Sequence, residues 1–314
     1  MYCSALTSVT IPNTVVSIGS EAFSGCTSLT EIYIPDSVTA IYDSCFYTSG
    51  LVKARLPINA SYTNNNNSSF LFAFANSSVG PESGNYDVKL ATGIAAINTG
   101  MFRRSSIKSV VIPDTVTVIG NSSFMTCANL ESIVIPDTVT VINSDAFNGC
   151  SALKSISAEN VISINASTFM GCSALESVSF PSLNGLPNMG SNYGCFYGCS
   201  TLKTVYLPKV TQVTNNSANT SRTFANCSAL EAVQLGSVGY PVSLVSNKPF
   251  SGCTNAGMIV TVYTDSNSVD SVLSGIRDGA TNATIIVKAA VDVVYNGATY
   301  SAGDTILTSV PVSE

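Results

Sequence analysis

A unit of the form Phe-x-x-Cys-x-x-Leu-x-x-Ile-x-Ile-Pro recurs along the chain, and no other feature limits its fold as tightly. It is clearest at Cys127, Leu130, Ile133, Ile135 and Pro136, runs on through Val139, Ile142 and Phe147, and begins again at Cys150. The first apolar residue of each unit falls at Leu6, Leu29, Leu51, about Asn85, Ile107, Leu130, Leu153, Leu175, Leu202, Leu230 and about Ala256. Most steps are 22 or 23 residues, as from Leu6 to Leu29 and from Leu29 to Leu51. A fixed period of this length marks an array of stacked units rather than a domain with one central core.

Each unit holds two kinds of segment. In the first, Ile32 and Ile34 alternate with Glu31 and Tyr33, the period-two pattern of a half-buried strand. Proline follows at 12, 35, 57, 113, 136, 181 and 208; it has no N–H to donate, so it ends the strand. After a polar turn comes a return segment, as in Val38/Ile41, Val116/Ile119 and Val139/Ile142, and then a turn ending in Phe, as at Phe23, Phe46, Phe124 and Phe147. One unit cannot bury its own apolar residues, and at roughly 1.5–3 kcal/mol per large side chain the gain comes from stacking neighbours. The expected fold is an α/β-type repeat solenoid with one long parallel sheet, short return strands or turns and little helix. The bulkier Phe side should bow outward and leave the strands on the concave face.

Ten cysteines raise the question of disulfides. Eight of them (Cys3, Cys26, Cys127, Cys150, Cys172, Cys199, Cys227 and Cys253) share one slot, three residues before the Leu position. Equivalent residues in stacked coils point their Cβ vectors the same way, which is poor geometry for a bridge. A ladder of buried thiols is expected. Zinc is disfavoured, since the chain has no histidine and no C-x-x-C pair.

Composition excludes several functions. Without histidine the usual general base near neutral pH is gone, and the abundant serines lack a base to activate them. A net charge of −6 and a pI near 4.6 argue against nucleic acid and anionic membrane surfaces. No apolar run approaches the ~20 residues of a membrane span. Met1-Tyr-Cys-Ser has neither a basic region nor an apolar core, so no signal peptide is expected there. Because Cys3 already sits in the repeat register, the chain reads as a piece that starts within the pattern.

The repeats are expected over 1–257, about 11 coils, with insertions at 57–87, 182–195 and 210–223; the first contains the polar run Asn64 to Asn67. After Met258 the register is expected to lapse. Strands at Ile259–Tyr263 and Ile285–Lys288, with a helix at Ser268–Arg277, form an expected β-rich cap over 258–289 that closes the stack. In 290–314, Asn296-Gly297 between two β-rich runs signals a hairpin, either a tail or the start of a further module.

The strand resembles the leucine-rich repeat pattern L-x-x-L-x-L. Proline after the strand and Ala-Phe-x-x-Cys before the next Leu, as in Ser20-Glu-Ala-Phe-Ser-Gly-Cys26 and Ser144-Asp-Ala-Phe-Asn-Gly-Cys150, are similar to the BspA-type leucine-rich repeat family. The resemblance implies a right-handed superhelix and a bacterial surface or secreted protein that attaches to host proteins, matrix or other cells. It carries no catalytic residues, and no cofactor is implied.

The strand positions between the buried residues are small and neutral in the middle of the chain, as in Ser109, Val111, Ser132, Val134, Ser155, Ser157, Ser177 and Ser179. Charge and an exposed ring gather earlier, at Glu31, Tyr33, Lys53, Arg55, Asp87 and Lys89. Tyr and Arg make good interface anchors, so these six, with Tyr206, are the candidate partner-binding residues. The expected partner is an extracellular or host protein, such as a neighbouring-cell or matrix protein, and the chain is expected to be a monomer. A glycan is the alternative, with Tyr33 and Tyr206 stacking on sugar rings. A polysaccharide-degrading enzyme ranks last, because no acid–base pair is evident. Asp36, Asp114 and Asp137 follow the prolines; Ca²⁺ binding yields there to turn capping.

Overall fold

The structure, a computed structural model, describes residues 3–42, 44–51, 53–57, 61–63, 87–89, 94–105, 107–186, 194–213, 223–245, 248–277 and 282–309. The three expected insertions, Asn64 to Asn67 included, fall largely outside this set. The chain forms two compact units, Met1–Val139 with Asp145–Leu153, and Thr140–Ser144 with Lys154–Glu314. Both are built from the same solenoid coil.

In the first unit, Glu31–Tyr33, Lys53–Arg55, Asp87–Lys89 and Val110–Val111 pair in parallel, each one coil further on. The return segments form their own parallel ladders: Ser17–Ile18, Ala40–Tyr42 and Ser61–Thr63 in one, Ala96–Ile97 and Val118–Ile119 in another. Strand and return are joined by the proline turn. The Val38 N–H donates to the Pro35 carbonyl, Val116 to Pro113 and Val139 to Pro136, each at 3.0 Å. Between these walls the Leu, Ile and Val slots are closed to solvent, as at Leu29, Val38, Ile41, Leu130, Val139 and Ile142.

The Phe and Cys slots lock consecutive coils together. Phe124 is fully buried and lies between Phe102, with ring centroids 5.1 Å apart, and Phe147, at 5.2 Å. In the second unit Phe169, Phe196, Phe224 and Phe250 stack in the same way at 5.2–5.4 Å. The cysteines are free thiols, and five of the slot thiols bond to the backbone of the coil before them. Cys127 Sγ donates to the Phe102 carbonyl at 2.9 Å and Cys150 to Phe124 at 3.1 Å. Cys199, Cys227 and Cys253 do the same toward Phe169, Phe196 and Phe224. Each of these carbonyls also accepts a backbone N–H from its own turn, as from Ser105 to Phe102 and from Cys127 to Phe124, so the thiol, a weak donor, adds a second contact that runs between coils.

Several of the Phe turns are bracketed by two left-handed residues, one two positions before the Phe and one two positions after. Asp145 at φ +58° and Gly149 at φ +75° bracket Phe147; Ser122 at +53° and Thr126 at +57° bracket Phe124. Glycine accepts this conformation without penalty, whereas β-branched Thr126 holds it under strain.

The second unit carries a seven-stranded sheet among the described residues. Ser155–Ser157, Ser177–Ser179, Thr204–Leu207, Ala232–Leu235, Ile259–Thr264 and Thr284–Ala289 run parallel, and Thr305–Ser309 closes the edge antiparallel to Thr284–Ala289. The strand register therefore does not lapse after Met258: Val233 pairs with Val260 and Leu235 with Val262. Only the return side changes. There the helix Val269–Arg277 buries Val269, Val272 and Ile276. Val293–Tyr295 and Ala298–Tyr300 form a hairpin whose two turn residues, Asn296 and Gly297, have φ of +49° and +79°, the signs a tight two-residue loop demands.

Candidate functional site

In the first unit the strand register sorts the candidate residues into two rows. Glu31, Lys53 and Asp87 are successive partners in one, and Tyr33, Arg55, Lys89, Val111 and Val134 in the other. The side chains of Lys53, Asp87 and Lys89 lie outside the described residues. Tyr33 is 59% exposed, and Val111 and Val134 are 76% and 78% exposed. Those exposures are high for large apolar groups on a regular ladder.

Arg55 is held on three sides. Its guanidinium sits 4.8 Å from the Tyr33 ring centroid, donates to the Ile34 carbonyl at 3.0 Å, and meets Asp36 at 2.7 Å. The Asp36 contact is partly exposed, so it contributes at most about 1 kcal/mol, but it fixes a long side chain that would otherwise lose freedom on binding. Asp36, expected to cap its own turn, thus reaches into the next coil.

Tyr206 does not join this group. It stands on the ladder of the second unit, between Ser179 and Gln234. In the same unit are residues that the spacing of the sequence did not single out. Lys209 Nζ stands 5.7 Å from the Tyr240 ring centroid, and Lys288 Nζ the same distance from Tyr263, its partner across the strands. Lys209 and Tyr240 sit in turns of different coils, with an insertion between them in the sequence. Among the described residues no group of three or more Cys, Asp or Glu is arranged to hold a metal ion, and no helix is long and apolar enough to cross a membrane.

The family model of the BspA type leucine-rich repeat region, in 6 copies, matches residues 1–129, 95–231 and 195–271. The chain belongs to the BspA type leucine-rich repeat family. A leucine-rich repeat protein from Bacteroides ovatus ATCC 8483 is 22% identical, with a TM-score of 0.52 over 82% of this chain and 67% of that one; it shares the fold. A leucine-rich cell surface protein from Faecalibacterium prausnitzii A2-165 is 29% identical, with a TM-score of 0.41 over 62% of this chain. The present chain spans 58% of that protein's length. No curated protein matches.

BspA type repeats are, in general terms, protein-interaction scaffolds, and the matching family and solved neighbours are repeat proteins rather than enzymes. The division of labour within the coil fits this. Phe, Cys, Leu and Ile recur from turn to turn and are mostly buried. The outward strand positions change from Glu31 and Tyr33 to Ser155 and Ser157 to Thr204 and Tyr206 without affecting the stack.

Proposed function

We propose that this chain is a non-catalytic adhesive scaffold, displayed outside the cell, that holds a host or neighbouring-cell protein against the strand face of its first unit. Glu31, Tyr33, Lys53, Arg55, Asp87 and Lys89 form the contact area, and Val111 and Val134 extend it. The observation that carries the reading is the exposed Tyr33 ring braced by an Arg55 already fixed to Asp36 and Ile34. An aromatic–arginine pair held in place before binding is what a protein interface uses as its anchor, since little freedom remains to be lost. The family's surface proteins support the extracellular setting.

The test is a pull-down of the recombinant chain against a panel of extracellular-matrix proteins and a glycan array, repeated with Tyr33→Ala and Arg55→Ala. Each substitution should weaken capture of the protein partner roughly tenfold, the scale of an interface hot spot. Undiminished capture by both variants would refute this face, and retention of polysaccharides alone would refute the protein-binding reading.

A further inference from the structure

In the second unit one slot of the strand face carries charge in coil after coil. Directly after the Leu position stand Lys154, Glu176, Lys203 and Glu231, in four successive coils and all exposed. In sequence the same slot holds Lys108 and Glu131 in the two repeats before. Charged residues make up only 10% of the chain, so an unbroken run of alternating sign in one slot is not an accident of composition.

The backbone holds the four residues in line. The Glu176 N–H donates to the Lys154 carbonyl at 2.8 Å, that of Lys203 to Glu176 at 2.9 Å, and that of Glu231 to Lys203 at 2.8 Å. Lys203 Nζ also meets Glu176 Oε2 at 3.0 Å. Two further rows run beside this one in strict register. The nearer, Ser155, Ser177, Thr204 and Ala232, is small throughout. The next, Ser157, Ser179, Tyr206 and Gln234, has both its large members at one end.

We infer that this face pairs with the same face of a second copy of the chain. A two-fold axis lying along the strands, midway between Ser177–Ser179 and Thr204–Leu207, reverses the order of the coils and leaves each row facing itself. Lys154 of one copy then meets Glu231 of the other, and Glu176 meets Lys203, so every charge in the row faces its opposite. The same axis sets the Tyr206 ring, 44% exposed, over Ser179, and Gln234 over Ser157, large against small each time. An unrelated partner would have to match four alternating charges at intervals of about 4.8 Å, whereas a second copy supplies them by symmetry. Pairing along the row does not compete, because a carboxylate accepts from more than one ammonium. The four strands span only about 14 Å, far short of a permanent interface, so the dimer is weak, and its exposed charges make it sensitive to salt.

The test is sedimentation equilibrium of the whole chain at concentrations up to about 1 mM. At low salt a dimer should form, and it should be lost as the ionic strength is raised to about 1 M. Glu176→Lys and Lys203→Glu each set like charges against one another at two symmetry-related contacts. With circular dichroism unchanged, each should weaken dimerisation about tenfold. Mixed in equal amounts, the two variants bring lysine against glutamate at both contacts, and the dimer should return as a heterodimer. Charges that only staple neighbouring coils of one chain would give no recovery on mixing. A wild-type chain that stays monomeric at low salt, single variants that dimerise as well as wild type, or a mixture no more dimeric than its components would overturn the inference. The tyrosine–arginine row of the first unit is untouched by these substitutions, so its fate is decided separately.

Discussion

Replacing Phe124 by Leu tests whether the coils are joined by the aromatic column or by generic apolar burial. The Phe124 ring has no exposure and touches Phe102 at 5.1 Å and Phe147 at 5.2 Å, with interplanar angles of 10° and 1°. Leucine keeps most of the buried area, so the transfer component changes little. What is lost is two ring–ring contacts, each about 0.5–1.5 kcal/mol beyond area, for a total of about 1–3 kcal/mol. Phe124→Ala also opens a cavity and should cost about 3–5 kcal/mol. The decisive measurement is a double-mutant cycle by urea unfolding with Phe102→Leu, Phe124→Leu and both together. The two single variants each lose the shared contact, so the double variant should be less destabilised than their sum by about 0.5–1.5 kcal/mol. Strict additivity would mean that the rings behave as independent apolar groups, and the account of the column would fall.

Three further outcomes follow from close packing and burial. A Cβ at Gly120 would lie 2.6 Å from the Ile97 carbonyl oxygen and 2.9 Å from Asn98 C and Thr99 N, all backbone of the coil before. Gly120→Ala should therefore destabilise by about 2–4 kcal/mol. Gly19→Ala, with nothing within 4 Å, should stay within about 0.5 kcal/mol; equal melting temperatures would refute the close approach. Of the ten cysteines, only Cys3 is exposed, so a thiol reagent should label one site in the native protein and all ten after denaturation. Burial pushes the Cys45 and Cys253 thiols up from 9.0 to about 12. The folded state keeps protons that the unfolded chain releases, so stability should be level below pH 9 and fall from there to pH 12. Each such thiol adds a slope of about 1.4 kcal/mol per pH unit, and a stability curve flat to pH 11 would contradict their burial.

The coil could be read from the sequence because each of its fixed residues has one physical task that only a few residue types perform. Proline ends the strand, the alternation of Ile32 and Ile34 with Glu31 and Tyr33 marks its faces, and Phe and Cys return at the period of the stack. The relations that span two coils were harder to see. The acceptor of the Cys150 thiol is a backbone carbonyl at Phe124, and no side chain announces it. Glycine betrays the left-handed position at Gly149, but Asp145 and Thr126 adopt the same conformation without a visible sign. Asp36 looked like a turn residue because its partner Arg55 lies in the following coil. The strand Ile259–Thr264 kept its register although the return side had become a helix, because pairing depends on the strand's own backbone and not on what covers its back. Lys209 and Tyr240 were missed because an insertion separates them. Their spacing matches no period.

The Cys–Phe contact also bears on how such chains change length. Cys127, Cys150, Cys199, Cys227 and Cys253 each bond to the backbone carbonyl at the Phe position of another turn, not to a side chain peculiar to one neighbour. Excising or duplicating a complete turn would leave each sulfur facing an equivalent oxygen, so the junction would heal with the same chemistry on either side. The number of turns, and with it the extent of surface available for recognition, can drift in whole steps while the interior remains unchanged.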